Sequence, residues 1–192
     1  MTTSRWALIS AERMEESTAC ALSVVAHLKA AGICTAGFFQ HKSTNAHGQK
    51  RYELVRLHGD ERALLAVEGL AAKKENEEPF CSIVFHNDSF ATACRWVEED
   101  AHTAELLLVG GIGKLEVFDK GHSKLLEHLL KKDAALLLLC VRASQLSYVM
   151  ERFVLPEDRL VDALELPASP QAVEGFVESL KASCHARRAD NP

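Results

Sequence analysis

The segment Ala11-Glu12-Arg13-Met14-Glu15-Glu16-Ser17-Thr18 stands where phosphate chemistry is expected. A short apolar run, Trp6 to Ser10, precedes it, and a helix-like run, Ala19 to Ala30, follows. A loop between such elements with the pattern G-x-x-x-x-G-K-[ST] cradles nucleotide phosphates. Its glycines let backbone N–H groups approach, its Lys reaches the outer phosphates and its hydroxyl meets Mg²⁺. Laid on that pattern, the first Gly is Ala11, the second is Glu16, the Lys is Ser17, and only Thr18 fits. The frame is present and its reactive residues are not. Glu15 and Glu16 would stand at the helix N-terminus, with Glu12 nearby. Carboxylates there satisfy the free N–H groups and repel phosphate. A like-charge pair at ~4 Å costs about 1 kcal/mol in water and about 4 at an effective dielectric of 20. Arg13 can offset one of them. Arg13, Ser17 and Thr18 are the phosphate-binding candidates this segment retains.

A second candidate is the turn Gly110-Gly111-Ile112-Gly113-Lys114, after the apolar run Leu106 to Val109. It is no phosphate loop: the first pattern Gly would be Leu108, and Leu115 follows the Lys. Open α/β sheets nevertheless bind ligands at the carboxyl ends of strands. Gly110, Gly111, Gly113 and Lys114, with Thr18, could therefore form a weak anion site. Glu116 and Asp119 could act as paired acids; Glu116 is the candidate remnant of a catalytic group, and a structural role is its plainer explanation. His86, followed by Asn87 and Asp88, reads as a capping or surface residue. Nothing places Ser17 beside a His as a nucleophile pair. Trp6, Trp96 and the Phe residues read as core, not as a base-stacking platform.

Elements that would position these groups follow from the hydrophobic pattern. Strand candidates are Trp6–Ser10, Cys34–Gln40, Arg51–His58, Ser82–His86, Glu105–Val109, Ala135–Arg142 and Arg159–Leu164. The leucine runs at 106–109 and 136–141 are continuous, as in central parallel strands covered on both faces. Helix candidates are Thr18–Ala31, Asp88–Asp100, Ser123–Lys132 and Pro170–His185. The alternation predicts an α/β fold, a mostly parallel sheet with helices on both faces. His41 to Arg51 reads as a mobile hairpin loop, whose positive charge and histidines could contact an anion but are more simply solvated, and Ala71 to Pro79 as an exposed connection. Residues 1–185 form one domain, and 186–192 a frayed C-terminal tail.

Bulk properties narrow the classes. The chain has 192 residues, 47% apolar and 26% charged, enough for one sizeable α/β core. A net charge of −5 gives no general field for nucleic acid. The six cysteines are scattered without a C-x-x-C pair, which points to reduced buried thiols and no metal site. No signal-peptide core is evident, and the longest apolar run, Ala134 to Val141, is far below the ~20 residues of a membrane span. A cytoplasmic protein is expected.

Several segments, in order, resemble the THEP-type nucleoside-triphosphatases of the P-loop superfamily. They are Ala31 to Gln40, similar to a G-F-[FY]-T-type second strand; the return strand Tyr52 to Leu57 with His58-Gly59; and Leu107 to Phe118, where the family has a strand followed by D-E-[IV]-G-x-[LM]-E. Gly121-His122 and Leu136 to Arg142 also match, so the likeness runs from about Arg5 to Leu166. It implies a P-loop-NTPase-like fold. In the family, the Asp of the second motif helps hold Mg²⁺ and the adjacent Glu is the candidate for positioning water; here they are Gly110 and Gly111. Both motifs, Walker A and Walker B, are thus degenerate while Ile112, Gly113, Lys114, Leu115 and Glu116 remain. The resemblance with these losses implies a pseudo-NTPase, a binding or regulatory protein without efficient hydrolysis. It would act through a protein partner or a competent relative, with no cofactor. Two alternatives stay open. One is a slow nucleoside-triphosphatase, using Mg²⁺ and NTP through a site rebuilt from Arg13, Thr18, Lys114 and Glu116. The other is a sensor of a small molecule or phosphate metabolite.

Overall fold

Alternating side chains on apolar strands must find cover on both sides of a sheet, and the computed structural model shows how they do so. It describes residues 4–69, 76–80 and 82–190. Among these, nine strands form one sheet in the order β5-β6-β4-β3-β2-β7-β8-β1-β9. Strands β1 (Trp6–Ala11), β2 (Thr35–Thr44), β7 (Leu106–Ile112), β8 (Leu136–Arg142) and β9 (Leu160–Glu165) pair in parallel. Strands β3 (Lys50–Arg56), β4 (Arg62–Glu68), β5 (Glu77–Phe80) and β6 (Ile83–His86) join antiparallel. A mostly parallel sheet is therefore only half of the arrangement: five parallel strands carry a four-stranded antiparallel wing.

The continuous leucine runs are explained by two cores. Trp6, Leu8, Leu107, Val109, Leu137 and Leu139 point to one face. There they meet Trp96 of α2 (Asn87–Asp100), Leu125 and Leu129 of α4 (Ser123–Lys131) and Val149 of α5 (Leu146–Phe153). Ala7, Ile9, Leu106, Leu108, Leu136 and Leu138 point to the other. They meet Val24 and Leu28 of α1 (Met14–Ala30) and Phe176 and Leu180 of α6 (Pro170–Asp190). The period of 2 is intact, but both faces are apolar, so it vanishes from the sequence. Parallel neighbours β2 and β7 approach tightly at Gly37, opposite Leu108. A Cβ there would lie 2.0 Å from the Leu108 carbonyl oxygen, and the residue has φ +105°.

Several expectations are corrected. The polar stretch 41–51 is mostly strand: β2 runs to Thr44, β3 begins at Lys50, and each residue from Phe38 to Thr44 is paired. The turn itself is ordered, since Asn45 Oδ1 accepts from the N–H groups of His47 and Gln49 at 3.0 Å each. An ion pair between Lys50 and Glu68 at 2.6 Å shows why polar residues suit this ribbon. The expected connection at 71–79 ends in β5, and residues 71–75 lie outside the described part. In the C-terminal tail, α6 continues through Asp190, with Arg187 bonded to Asp133 and Arg188 to Glu105. No helix among the described residues is long and apolar enough to cross a membrane.

Candidate functional site

Strands β1, β7 and β8 are neighbours, and the segments Glu12–Arg13 and Gly113 onward leave at their carboxyl ends. This is where the fold directs ligands. A cleft of about 540 Å³ opens there. Its floor and one wall come from the β1–α1 and β7–α3 junctions, α3 being the single turn Lys114–Val117. The opposite wall is the antiparallel wing, through Tyr52, Leu65, Phe80, Ile83 and Phe85.

The β1–α1 junction is not a loop. Strand β1 ends at Ala11 and helix α1 begins at Met14, leaving only Glu12 and Arg13 between them. The N–H groups of Glu16 and Ser17 both donate to the Arg13 carbonyl, at 3.0 and 3.4 Å. The Glu15 carboxylate accepts from its own backbone N–H and from Lys42, at 2.5 Å. The Lys42 hydrogen bond, foremost, holds its pKa below the ordinary carboxylate value. From Thr18 onward the helix's own ladder uses the N–H groups. The N–H groups of Glu15, Glu16 and Ser17 are thus engaged within the chain, and no side chain caps the helix.

The sequence candidates separate accordingly. Arg13, Gly111, Gly113, Lys114 and Glu116 line the cleft. Ser17, Thr18 and Gly110 are not among the described residues that line it. Ser17 is fully buried, its Oγ donating to the Met14 carbonyl at 3.0 Å. Thr18 is buried too, and its Oγ1 has no hydrogen-bond partner among the described residues. The side chain of Arg13 is exposed and 3.6 Å from Glu16.

Gly110 and Gly111 are where the backbone of β7 comes close to β2. A Cβ on Gly110 would lie 2.8 Å from the Phe39 Cα, a backbone atom. One on Gly111, at φ +85°, would lie 2.2 Å from the Gln40 side-chain amide. Glu116 is fully buried and accepts from the Gly113 N–H at 2.8 Å and the His122 N–H at 2.9 Å. Burial pushes its carboxyl up to about 7, against the pull of those two bonds. His122 is packed between Phe38 and Phe90, with ring centroids at 4.7 and 4.9 Å. Neither ring nitrogen has a partner among the described residues, and burial lowers its pKa to about 3, so it is neutral.

Beyond Glu12 and Glu15, four polar cleft residues were not among the sequence's site candidates: Gln40, Lys42, Tyr52 and Arg142. Arg142 alone had a signal, its place at the carboxyl end of a central apolar run. Lys42 lies in the stretch 41–51 that reads as a solvated loop, while Gln40 and Tyr52 stand at the edges of strand candidates and carry no chemical signal of their own. Among the described residues, no group of three His, Cys, Asp or Glu is placed to hold a metal.

A model of the NTPase family, the THEP type, matches residues 14–161 of this chain. The chain belongs to that family. Two solved NTPases are similar in fold. The solution structure of a human cancer-related nucleoside triphosphatase has a TM-score of 0.69 at 14% identity, over 94% of this chain and 99% of that one. The crystal structure of THEP1 from the hyperthermophile Aquifex aeolicus has a TM-score of 0.61 at 13% identity, over 93% and 98%. Among curated proteins, none shows significant sequence similarity. The NTPase match begins at Met14, the first residue of α1, so the segment Ala11–Arg13 lies outside it.

Proposed function

We propose that this member of the NTPase family is a binding or regulatory protein that does not hydrolyse nucleoside triphosphates efficiently. The observation that carries this is the short β1–α1 junction: helix α1 begins at Met14, inside the segment where a phosphate loop would lie, and the N–H groups of Glu16 and Ser17 bond to the Arg13 carbonyl. Phosphoryl transfer relies on a backbone cradle, a Lys and a held Mg²⁺ acting together. The residues present do not fit a Mg²⁺–triphosphate bound in that way. Ser17 stands in place of the Lys and faces the protein interior. Gly110 and Gly111 stand in place of the acids; a Cβ at the first would meet the Phe39 backbone, and one at the second would need a left-handed φ and a shifted Gln40 side chain. Glu12 and Glu15 add negative charge to the cleft that a triphosphate would have to enter.

Titration with ATP and GTP, with and without Mg²⁺, tests this. A ligand at a hundredfold excess over Kd stabilises a protein by about 2.7 kcal/mol. For a chain of this size each kcal/mol raises the melting temperature by roughly 2–4 °C. We expect a shift of under about 1 °C at ~1 mM nucleotide, far below that. Turnover at ~1 s⁻¹ or faster, with contaminating enzymes excluded, overturns the proposal.

A further inference from the structure

We propose that the cleft binds a small amphipathic organic monoanion, an aromatic or aliphatic carboxylate. Its body would lie on the antiparallel wing and its charge at Lys114 and Arg142. This deepens the function proposed above and rests on it in one respect, that the β1–α1 junction offers no phosphate cradle.

Charge pairing in the cleft selects the head group. Of its four cations, Lys42 is bonded to Glu15 at 2.5 Å and Arg13 faces Glu16 at 3.6 Å. Lys114 and Arg142 line the same cleft and have no carboxylate partner among the described residues. The Lys114 ammonium instead lies 5.6 Å from the Phe80 ring centroid and 6.0 Å from that of Phe118. With Glu15 held by Lys42, the two unpaired cations beside Glu12 leave about one net positive charge, which suits one negative charge better than several. The Gln40 side-chain amide, also in the cleft and without a hydrogen bond among the described residues, supplies a neutral donor and acceptor.

The rest of the cleft selects the body. Tyr52, Leu65, Ile83 and Phe85 give a continuous apolar and aromatic wall, contributed by β3, β4 and β6. A cleft of about 540 Å³ is of the size that buries a small organic ligand, within the roughly 300–1,000 Å³ usual for such sites. An inorganic anion would leave that wall wet. A neutral apolar compound would leave Lys114 and Arg142 desolvated without a partner.

Calorimetry on the full chain tests the proposal with 2-naphthoxyacetate, octanoate, the neutral primary amide of 2-naphthoxyacetate, and ATP with Mg²⁺. We expect at least one carboxylate to bind with a Kd below ~1 mM, the amide at least about tenfold more weakly, and ATP not to saturate. Lys114→Gln and Arg142→Gln should each weaken carboxylate binding about tenfold, the scale of one charge-assisted hydrogen bond. Tyr52→Ala should weaken binding without altering the preference for acid over amide. The melting temperature of unliganded Lys114→Gln should fall by no more than about 4 °C, since no ion pair is lost and only the contacts with the Phe80 and Phe118 rings go. Failure of both carboxylates to bind, equal affinity for acid and amide, or full affinity in both charge variants overturns the inference. Lack of carboxylate binding together with lack of ATP turnover sinks this inference alone. ATP turnover sinks the proposed function as well.

Discussion

Glu116 and His122 are two buried ionisable residues, the His122 backbone N–H donating to the Glu116 carboxylate, and their titrations oppose each other. Glu116 has a folded pKa of about 7 against an ordinary value of 4.5. The unfolded chain releases that proton first, so stability from this group is full below about pH 4.5 and falls as pH rises to about 7. His122 has a folded pKa of about 3 against an ordinary 6.5. The unfolded chain takes up that proton first, so its contribution is full above about pH 6.5 and falls as pH drops toward 3. Between about pH 4.5 and 6.5 the two slopes cancel. Glu116→Gln removes one slope and exposes the other. Urea unfolding of this variant should then lose roughly 1.4 kcal/mol per pH unit on acidification below about pH 6.5, where the parent is flat. Parallel pH profiles for the two proteins would show that the buried pair does not titrate in this way. At this scale the sequence was informative about the lining residues Arg13, Gly111, Gly113, Lys114 and Glu116, which lie next to strand ends. It left Lys42 in a solvated loop and was silent on Gln40 and Tyr52, because their neighbourhood is made by pairing across the sheet and not along the chain.

Elements carry the constraint that β2 and β7 run side by side with almost no gap. Gly37 makes this possible, with φ +105° and no side chain to meet the Leu108 carbonyl. Gly37→Ala combines overpacking with a strained backbone and should cost roughly 3 kcal/mol or more. Its denaturant midpoint measures this; a loss under ~1 kcal/mol would mean that the strands part easily. The central strands were legible because their leucine runs are long and bounded by turn residues. Strand β4 was not, since Arg62-Ala-Leu-Leu-Ala-Val-Glu68 has no β-branched pattern beyond one Val and lacks alternation. Strand β5 is short, acidic and contains Pro79, features tolerated at a sheet edge and unlike any interior strand. Helix α1 begins at Met14, four residues before the expected Thr18. Met, Glu and Glu are good helix formers, and with no Gly to break the turn, propensity extended the helix into the loop.

Over the whole molecule, the sheet is two structures of different protection. The centre of the parallel half is deeply buried: all six residues of β1 and six of the seven of β8 are buried, while the edge strand β9 has one. The wing is thinner, with only one buried residue in β5 and one in β6. Native-state hydrogen exchange should therefore show β1, β7 and β8 exchanging only through global unfolding, while β4, β5 and β6 open earlier. Uniform protection across all nine strands would contradict this picture. Saturating the cleft with a ligand seated on the wing should slow the early-opening strands most, because binding stabilises the closed form.

The crowding at Gly110 has a last consequence, for the order in which substitutions can be made. An Asp at this position, the natural first step toward a metal-binding strand end, would drive its Cβ against the Phe39 backbone. A Glu at Gly111 would meet Gln40 and a left-handed φ. A Lys at Ser17 would start from a fully buried site inside a helix. Each step lowers stability before any of them can contribute to catalysis, and the gain requires all of them at once. On the proposed reading, the molecule is separated from a working phosphate site by a valley and not by a slope. The variant Glu16→Gly, Ser17→Lys, Gly110→Asp, Gly111→Glu should accordingly melt well below the parent and gain no nucleotide affinity. A folded quadruple variant that binds ATP would mean that the backbones of β2 and β7 separate more readily than their packing implies.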